Sequence, residues 1–246
     1  MTKKLRIFFG NIGYATGING CLRHHLLYFH RHFYCPIGTQ EKVLAQLNLL
    51  IEKENPDLCC FVEIDKEQNH LNFLAQKNYP FFDVENKYGE KSFLRDFAPT
   101  KGKSNGFMAK EKFEYEKIFF DSGVKKLIYK IQLRENLTLF FSHFSLKKPT
   151  REKQLQQVRE IFSQTKGEII FLGDFNILKG LEELEPLLHD NLILLNDKTK
   201  PTFTFHKSSL LLDLCLCTKG ILPFLKLEIH PQPYSDHAAL VVEITV

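Results

Sequence analysis

The chain has 246 residues, 43% of them hydrophobic and 25% charged, which excludes a disordered chain and supplies a core for one large domain or two small ones. Its formal charge of +4 is mildly basic, compatible with a polyanionic substrate and far below that of a dedicated nucleic-acid coat. Six cysteines in this length are no disulfide framework, no apolar run of about 18 residues is present to span a membrane, and Gly10, Asn11 and Gly13 break up the first apolar stretch before it can act as a secretory signal. The expectation is one reduced, cytoplasmic, monomeric domain over residues 1–246.

The first strand-length apolar run is Leu5–Phe9, followed by Asn11. The segment from Gly17 to Gly38 then gathers Cys21, His24, His25, His30, His32 and Cys35 with Arg23 and Arg31. Three readings are open for it. Cys21-x-x-His24 and His32-x-x-Cys35 have zinc-like local spacing, although the loop between them is short. A loop rich in cationic and imidazole donors beside the first strand end can contact a substrate. A structural helix would place Leu22, Leu26, Leu27, Phe29 and Phe33 inside. Next, Thr39 is positioned to cap a helix running to Glu54, with Val43, Leu44, Leu47, Leu50 and Ile51 on one face, stopped at Asn55–Pro56.

Leu58–Val62 is a second strand, ended by Glu63, and it carries the adjacent Cys59 and Cys60. A basic cluster of Lys91, Arg95, Lys101 and Lys103 follows. Lys126–Leu133 and Leu137–His143 read as a hairpin turning at Arg134–Glu135–Asn136. A second basic cluster, Lys147, Lys148, Arg151 and Lys153, opens a helix that Thr150 can cap and that carries Leu155, Val158, Ile161 and Phe162. Glu168–Leu172 leads to Asp174 and Asn176, Leu211–Cys217 contains Asp213, and Asp236–His237 opens the last run, Ala238–Ile244. Strands, helices and a hairpin together define a mixed α/β protein. Two packed sheets with helices outside and one sheet covered on both sides both fit this pattern.

The polar residues at the ends of these runs carry the chemistry. Gly173–Asp174–Phe175–Asn176 puts a carboxylate and a carboxamide on one side of an extended segment, with Phe175 turned to the core. Asp213 within an apolar run needs a buried partner, and an imidazolium is a natural one. Strand ends are where a rigid scaffold presents such groups to a cleft.

In order along the chain, Asn11, Phe61–Val62–Glu63, Ser142–His143–Phe144, Gly173–Asp174–Phe175–Asn176, Leu212–Asp213 and Ser235–Asp236–His237 resemble the motifs of the endonuclease/exonuclease/phosphatase superfamily. The resemblance implies a four-layer α/β/β/α sandwich of two packed mixed sheets flanked by helices, and a hydrolase that attacks phosphate esters with water. It implies Mg²⁺ or Mn²⁺ held by Glu63 with Asn11 and Asp236. It further implies that Asp174 orients or deprotonates the water and that Asn176 positions the water or a phosphate oxygen. His237, held by Asp213, would contact the phosphoryl group, and His143 would serve a phosphate oxygen or the leaving group. Whether Asp174 or His237 is the base is open.

Gly13 stands where abasic-site endonucleases of that family carry an acidic residue, and the Trp of their sugar pocket is missing, which argues against that speciality. A nucleic-acid strand is the first substrate expected, steered by Lys147 and Arg151. A phospholipid or inositol phosphate is the second, and it calls for an apolar rim from Leu178, Phe203 or Phe205. A non-catalytic binding module on the same fold is the remote third.

Overall fold

The computed structural model describes residues 4–75, 78–188 and 191–245. Two six-stranded mixed sheets make up its centre. The first contains β1 (Lys4–Asn11), β2 (Leu58–Asp65), β3 (Phe81–Asn86), β4 (Lys103–Ala109), β13 (Leu225–His230) and β14 (Ala239–Thr245), in the order β13-β14-β1-β2-β4-β3. The second contains β5 (Glu114–Phe119), β6 (Leu127–Arg134), β7 (Leu137–His143), β8 (Glu168–Asp174), β9 (Leu192–Leu194) and β12 (Asp213–Thr218), in the order β5-β6-β7-β8-β12-β9. A small hairpin of β10 (Phe203–Phe205) and β11 (Ser208–Leu210) stands apart from both.

Alternation along the central strands explains the layers. Leu5, Ile7 and Phe9 of β1 join Cys60 and Val62 of β2 and meet Tyr129, Phe141, Leu172 and Cys215 of the other sheet in the inter-sheet core. Phe8, Cys59 and Phe61 point the opposite way, onto Val43, Leu47 and Ile51 of α2 (Ile37–Glu54) and Leu71 and Leu74 of α3 (His70–Ala75). Phe140, Phe171 and Leu216 likewise face Leu155 and Val158 of α4 (Lys148–Ser163) and Leu187 of the short α5 (Glu185–Leu188). Such strands are buried on both faces, which is why they read as continuous apolar runs. The four-layer sandwich is the expected one.

The hairpin of β6 and β7 forms as expected, and Cys59, Cys60, Cys215 and Cys217 are buried thiols on strands. The helix caps differ from expectation. α2 starts at Ile37 behind Pro36, whose φ of −57° sets the entry, so Thr39 lies inside its first turn. α4 starts at Lys148 with Pro149 in the first turn, where a missing N–H costs nothing, so Thr150 is not its cap. At the other end of α2, Asn55 takes the left-handed conformation (φ 47°) and its N–H returns to the Ile51 carbonyl, ending the helix at the expected place.

Residues 21–37 correct a larger expectation. The segment is helical, as α1 (Leu22–Tyr28) and a following 3₁₀ turn, Phe29–His32. Its apolar side chains, however, are not inside: Leu26 is 72% and Phe33 68% exposed. Periodicity had grouped these residues on a face without saying that the face points to solvent.

Candidate active site

The sheet registers bring the distant motifs to one end of the sandwich. β7 and β8 run parallel with His143 opposite Asp174, and β12 runs antiparallel to β8 with Asp213 opposite the same Asp174. β1 lies between β2 and β14, so Asn11, Glu63 and the residues just before Ala239 end beside one another. A bulge between Phe61 and Ile64 turns Glu63 out of the ladder at φ 55°, and Asn176 sits at φ 50°. Non-glycine residues held in this region are strained, and strain of this kind concentrates at functional sites. Phe175 is fully buried and stacked on Phe144, which fixes the turn that carries Asp174 and Asn176.

Asn11, Glu63, His143, Asp174, Asn176, Asp236 and His237 all line one cavity of about 170 Å³. A larger hollow of about 610 Å³, beside Phe162 and Asn191, is lined by none of them. Asp174 is the hub of the smaller one. Its Oδ2 accepts from Asn11 Nδ2 at 3.0 Å, lies 3.1 Å from His143 Nε2 and 4.0 Å from His237 Nε2, while Oδ1 accepts the Asn176 backbone N–H at 3.1 Å. Burial disfavours this carboxylate, but His143 and His237 outweigh it and hold its pKa well below the usual range. His237 Nδ1 is 2.7 Å from Asp213 Oδ2, and that leaves Nε2 to face the cavity. Burial works against the imidazolium; Asp213 and Asp174 overcome it and raise its pKa to about 10. The Asp213 carboxyl is itself fully buried, and burial pushes it upward against the pull of His237.

Further supports fix these groups. The Thr202 hydroxyl accepts the Asp213 N–H at 2.8 Å, and the Ser235 hydroxyl donates to the Asn11 carbonyl at 3.0 Å. The Asn176 side-chain N–H is committed to the Phe144 carbonyl at 3.0 Å, so this residue braces the turn after β8 with that group. Gly20 has φ +78°, and a Cβ there would lie 2.1 Å from the Thr204 carbonyl, so only glycine lets this loop pass beside the β10–β11 hairpin.

Glu63 is the open carboxylate. Its Oε1 is 3.7 Å from His143 Nδ1 and 3.9 Å from Lys125 Nζ. Burial would raise its pKa, but His143, Lys125 and Lys87 prevail and hold it down to about 2. Asn11 Oδ1 accepts the Gly13 N–H at 3.1 Å, and Asp236, pushed up to about 6 by burial, lines the same cavity. Ionised and carbonyl oxygens around one cavity are the donor set a hard divalent cation takes, so the residues fit such an ion. Asp174, Asp213 and His237 also bring ligating atoms within 4.8 Å of one another, but the Asp213–His237 hydrogen bond and those that Asp174 accepts from Asn11 and Asn176 occupy them.

Two lysines that the motifs did not announce enter the same cluster. Lys125 Nζ hydrogen-bonds to His143 Nε2, and Lys87 Nζ donates to the Tyr14 hydroxyl. Burial lowers the pKa of both, that of Lys87 to about 7, against the attraction of Glu63. Lys125 was findable: it precedes the first strand of an antiparallel hairpin whose second strand ends in His143. Lys87 follows β3, which the sequence pattern did not reveal.

Arg151 requires a correction. It is 1% exposed, pairs with the buried Glu183, and donates to the Ser145 and Leu146 carbonyls at 2.8 and 3.0 Å. It therefore holds the loop after β7 in place and offers no surface to a substrate. Lys147 is exposed at the start of α4, next to Leu146 of the cavity rim. Cys21, His24, His32 and Cys35 do not form a ligand cluster among the described residues. Instead Cys35 Sγ donates to the Ala15 carbonyl, His25 packs edge-on against Phe205, and His32 lines the same cavity as Asp174.

A two-sheet sandwich with a carboxylate hub between two imidazoles at its strand ends defines a phosphoesterase. The endonuclease/exonuclease/phosphatase family profile matches residues 37–237, and the chain belongs to that family, whose members hydrolyse phosphoester bonds. No curated protein sequence matches it at a significant level. Among solved structures, D. rerio TDP2 complexed with single-strand DNA product is 16% identical, covering 99% of this chain and 100% of its own, with a TM-score of 0.68. The endonuclease domain of TRAS1, a telomere-specific non-LTR retrotransposon, is 15% identical over 98% of this chain and 99% of its own, with a TM-score of 0.62. A family protein from Bacteroides thetaiotaomicron is 14% identical over 99% and 95%, also at 0.62. At these identities the likeness shows the fold. No helix among the described residues is long and apolar enough to cross a membrane.

Proposed function

We propose that the chain is a phosphodiesterase that cleaves by in-line attack of water, with a nucleic-acid strand as its first substrate class. The observation that carries this reading is the Asp213–His237 pair aimed at a cavity whose opposite wall is Asp174, His143 and Glu63. Asp174, ionised and already accepting two N–H groups, orients the attacking water and accepts its proton. His237, its Nδ1 held by Asp213, faces the cavity with Nε2, so its Nε2–H donates to a phosphoryl oxygen. His143 and Lys125 face the same space and supply donors for a second oxygen or for the leaving group. Glu63, Asn11 and Asp236 would hold Mg²⁺ or Mn²⁺, which when bound supplies charge neutralisation at the phosphoryl oxygens. Lys147 remains the candidate for steering a strand to the rim.

Support for the nucleic-acid strand comes from the fold shared with a DNA-complexed TDP2 and a retrotransposon endonuclease, and from the net positive charge. A phospholipid ester is the second reading, favoured by an apolar rim: Leu146 is 57%, Leu178 47% and Phe205 39% exposed at or beside the cavity. Nicking of supercoiled plasmid in the presence of Mg²⁺, compared with His237→Ala, tests the first reading. Nicking by the wild type alone supports it. Absence of nicking together with release of phosphocholine from sphingomyelin or phosphatidylcholine dispersions would replace it with the second. Inactivity on both would remove the phosphodiesterase reading.

A further inference from the structure

Residues 21–37 form a surface unlike the rest of the molecule. Leu26 (72% exposed), Leu27 (53%), Phe29 (58%), Phe33 (68%), Tyr34 (75%) and Ile37 (66%) face solvent together. A helix on a globular surface normally buries its apolar stripe against its own core, yet neither α1 nor the 3₁₀ turn after it has a buried residue. Single exposed apolar side chains are ordinary; a contiguous group of them marks an interaction surface.

The segment is anchored, so this exposure is not fraying. At its start the Gly20 carbonyl accepts the His206 N–H at 2.7 Å, and at its end the Cys35 carbonyl accepts from Gln40 Nε2 at 2.8 Å. Between these points His25 packs on Phe205 and approaches Asp236 at 3.8 Å. The anchored segment is also a wall of the catalytic cavity, through His32, and the exposed Leu146 and Leu178 belong to the same cavity's rim.

Charge identifies the occupant. No Asp or Glu occurs in the first forty residues, while the permanently charged Arg23 and Arg31 lie in the segment itself. Of the acids from neighbouring elements, Asp236 approaches His25 at 3.8 Å, and Asp65 and Glu67 are matched by Lys103 and Lys101. An apolar face in a cationic frame complements a surface that is apolar beneath and anionic above. Stacked bases would use the aromatic rings but leave Leu26, Leu27 and Ile37 without a π-face partner. A second copy of the chain would set these cations against themselves across an isologous contact.

We propose that residues 21–37 dock the protein on an anionic phospholipid bilayer, the apolar side chains entering the boundary of headgroups and acyl chains and Arg23 lying among the phosphates. The catalytic cavity then opens at the lipid surface. This placement goes beyond the phosphodiesterase reading and does not depend on which ester is cleaved, because binding is measured without turnover. Interfacial helices of this kind bind through buried apolar area together with attraction to anionic lipid, so both contributions should be visible.

The test is co-sedimentation with mixed phosphatidylcholine–phosphatidylserine vesicles, for the wild type and a Leu26→Ser/Phe33→Ser double variant with an unchanged melting curve. Wild type should pellet with these vesicles and far less with pure phosphatidylcholine, and the double variant should lose at least about tenfold in partitioning. The chain contains no Trp, so Phe33→Trp adds a sole reporter whose emission should shift to the blue on adding anionic vesicles. Wild type left in the supernatant, equal pelleting of the double variant, or an unmoved Trp emission would overturn the proposal. It would equally be overturned, in favour of another occupant, if the double variant lost single-stranded oligonucleotide binding or a concentration-dependent dimer while vesicles bound neither protein.

Discussion

Replacing Arg151 by Met separates a support role from a substrate contact. The guanidinium is inaccessible, pairs with Glu183, whose side chain is 2% exposed, and donates to two loop carbonyls. Arg151→Met leaves that carboxylate buried without its cation and removes the donors of Ser145 and Leu146. Breaking one side of a buried pair in this way costs about 3–5 kcal/mol. In a domain of this size each kcal/mol moves the midpoint by about 2–4 °C, so the variant should melt roughly 10 °C lower in far-UV circular dichroism. Replacing both partners, Arg151→Met with Glu183→Met, should restore much of the loss, because two apolar side chains leave no orphan charge. Well below the melting point the single variant should bind substrate almost as the wild type does. A melting curve within the error of the wild type's, combined with weakened substrate binding, would refute the reasoning and return Arg151 to the substrate surface.

Other perturbations test the site and the pH response. Asp213→Asn keeps the shape but removes the anion at 2.7 Å from His237 Nδ1, so kcat should fall about 10³–10⁴-fold, and the His237 pKa should drop from about 10 in an NMR titration. Lys125→Met removes a donor beside His143 and Glu63, and kcat/KM should fall about 10²-fold with little change in melting. His70 is buried, its Nδ1 accepts the Asp65 N–H at 3.2 Å and its Nε2 donates to Gln40 at 2.6 Å, so neither nitrogen has room for an added proton. Burial lowers its pKa from 6.5 to about 4; the unfolded chain therefore takes the proton first. Stability is full above pH 6.5 and falls as the pH drops to about 4, by about 3 kcal/mol from this residue, measured as urea midpoints. His70→Gln should flatten that part of the profile, and an unaltered pH slope in the variant would exclude the assignment.

The inner strands were legible because they are buried on both faces: β1, β2, β7, β8, β12 and β14 each appear as an apolar run. β3 and β5 were not, because both lie at sheet edges with mixed exposure along their length. β4, with the sequence KSNGFMA, has little strand propensity of its own. It exists because its neighbours pair with it on both sides, and a Cβ at Gly106 would come within 2.6 Å of the Asp83 carbonyl on β3. That is a tertiary requirement, and no local pattern expresses it.

In the site, the sequence-marked residues that the structure brings together were mostly those fixed by position, since a polar residue that ends an apolar strand points to the end of the sheet. Asn11, Glu63, His143 and Asp174 follow from that rule, while Asp213 stands inside an apolar run and is marked instead by its need for a buried partner. Lys125, just before β6, and Lys87, just after the edge strand β3, do not, because a lysine at such a place is ordinarily solvated; the hairpin register can point to Lys125, but only the fold turns both inward. Their burial has an electrostatic reason: Glu63, Asp174 and Asp236 line one small cavity with Asp213 buried behind His237, and a cluster of anions that dense would neutralise itself by taking up protons. His237 answers Asp213 and Asp174; Lys125 and Lys87 answer Glu63. Of the cations that keep Glu63 ionised, Lys125 lines the cavity, so in the proposed reaction it would also be a donor to an incoming phosphate. Lys125→Met should consequently weaken phosphate binding and raise the pKa of Glu63 together, whereas Lys87→Met should raise the pKa of Glu63 with less effect on binding, a contrast that no residue read singly from the sequence would reveal.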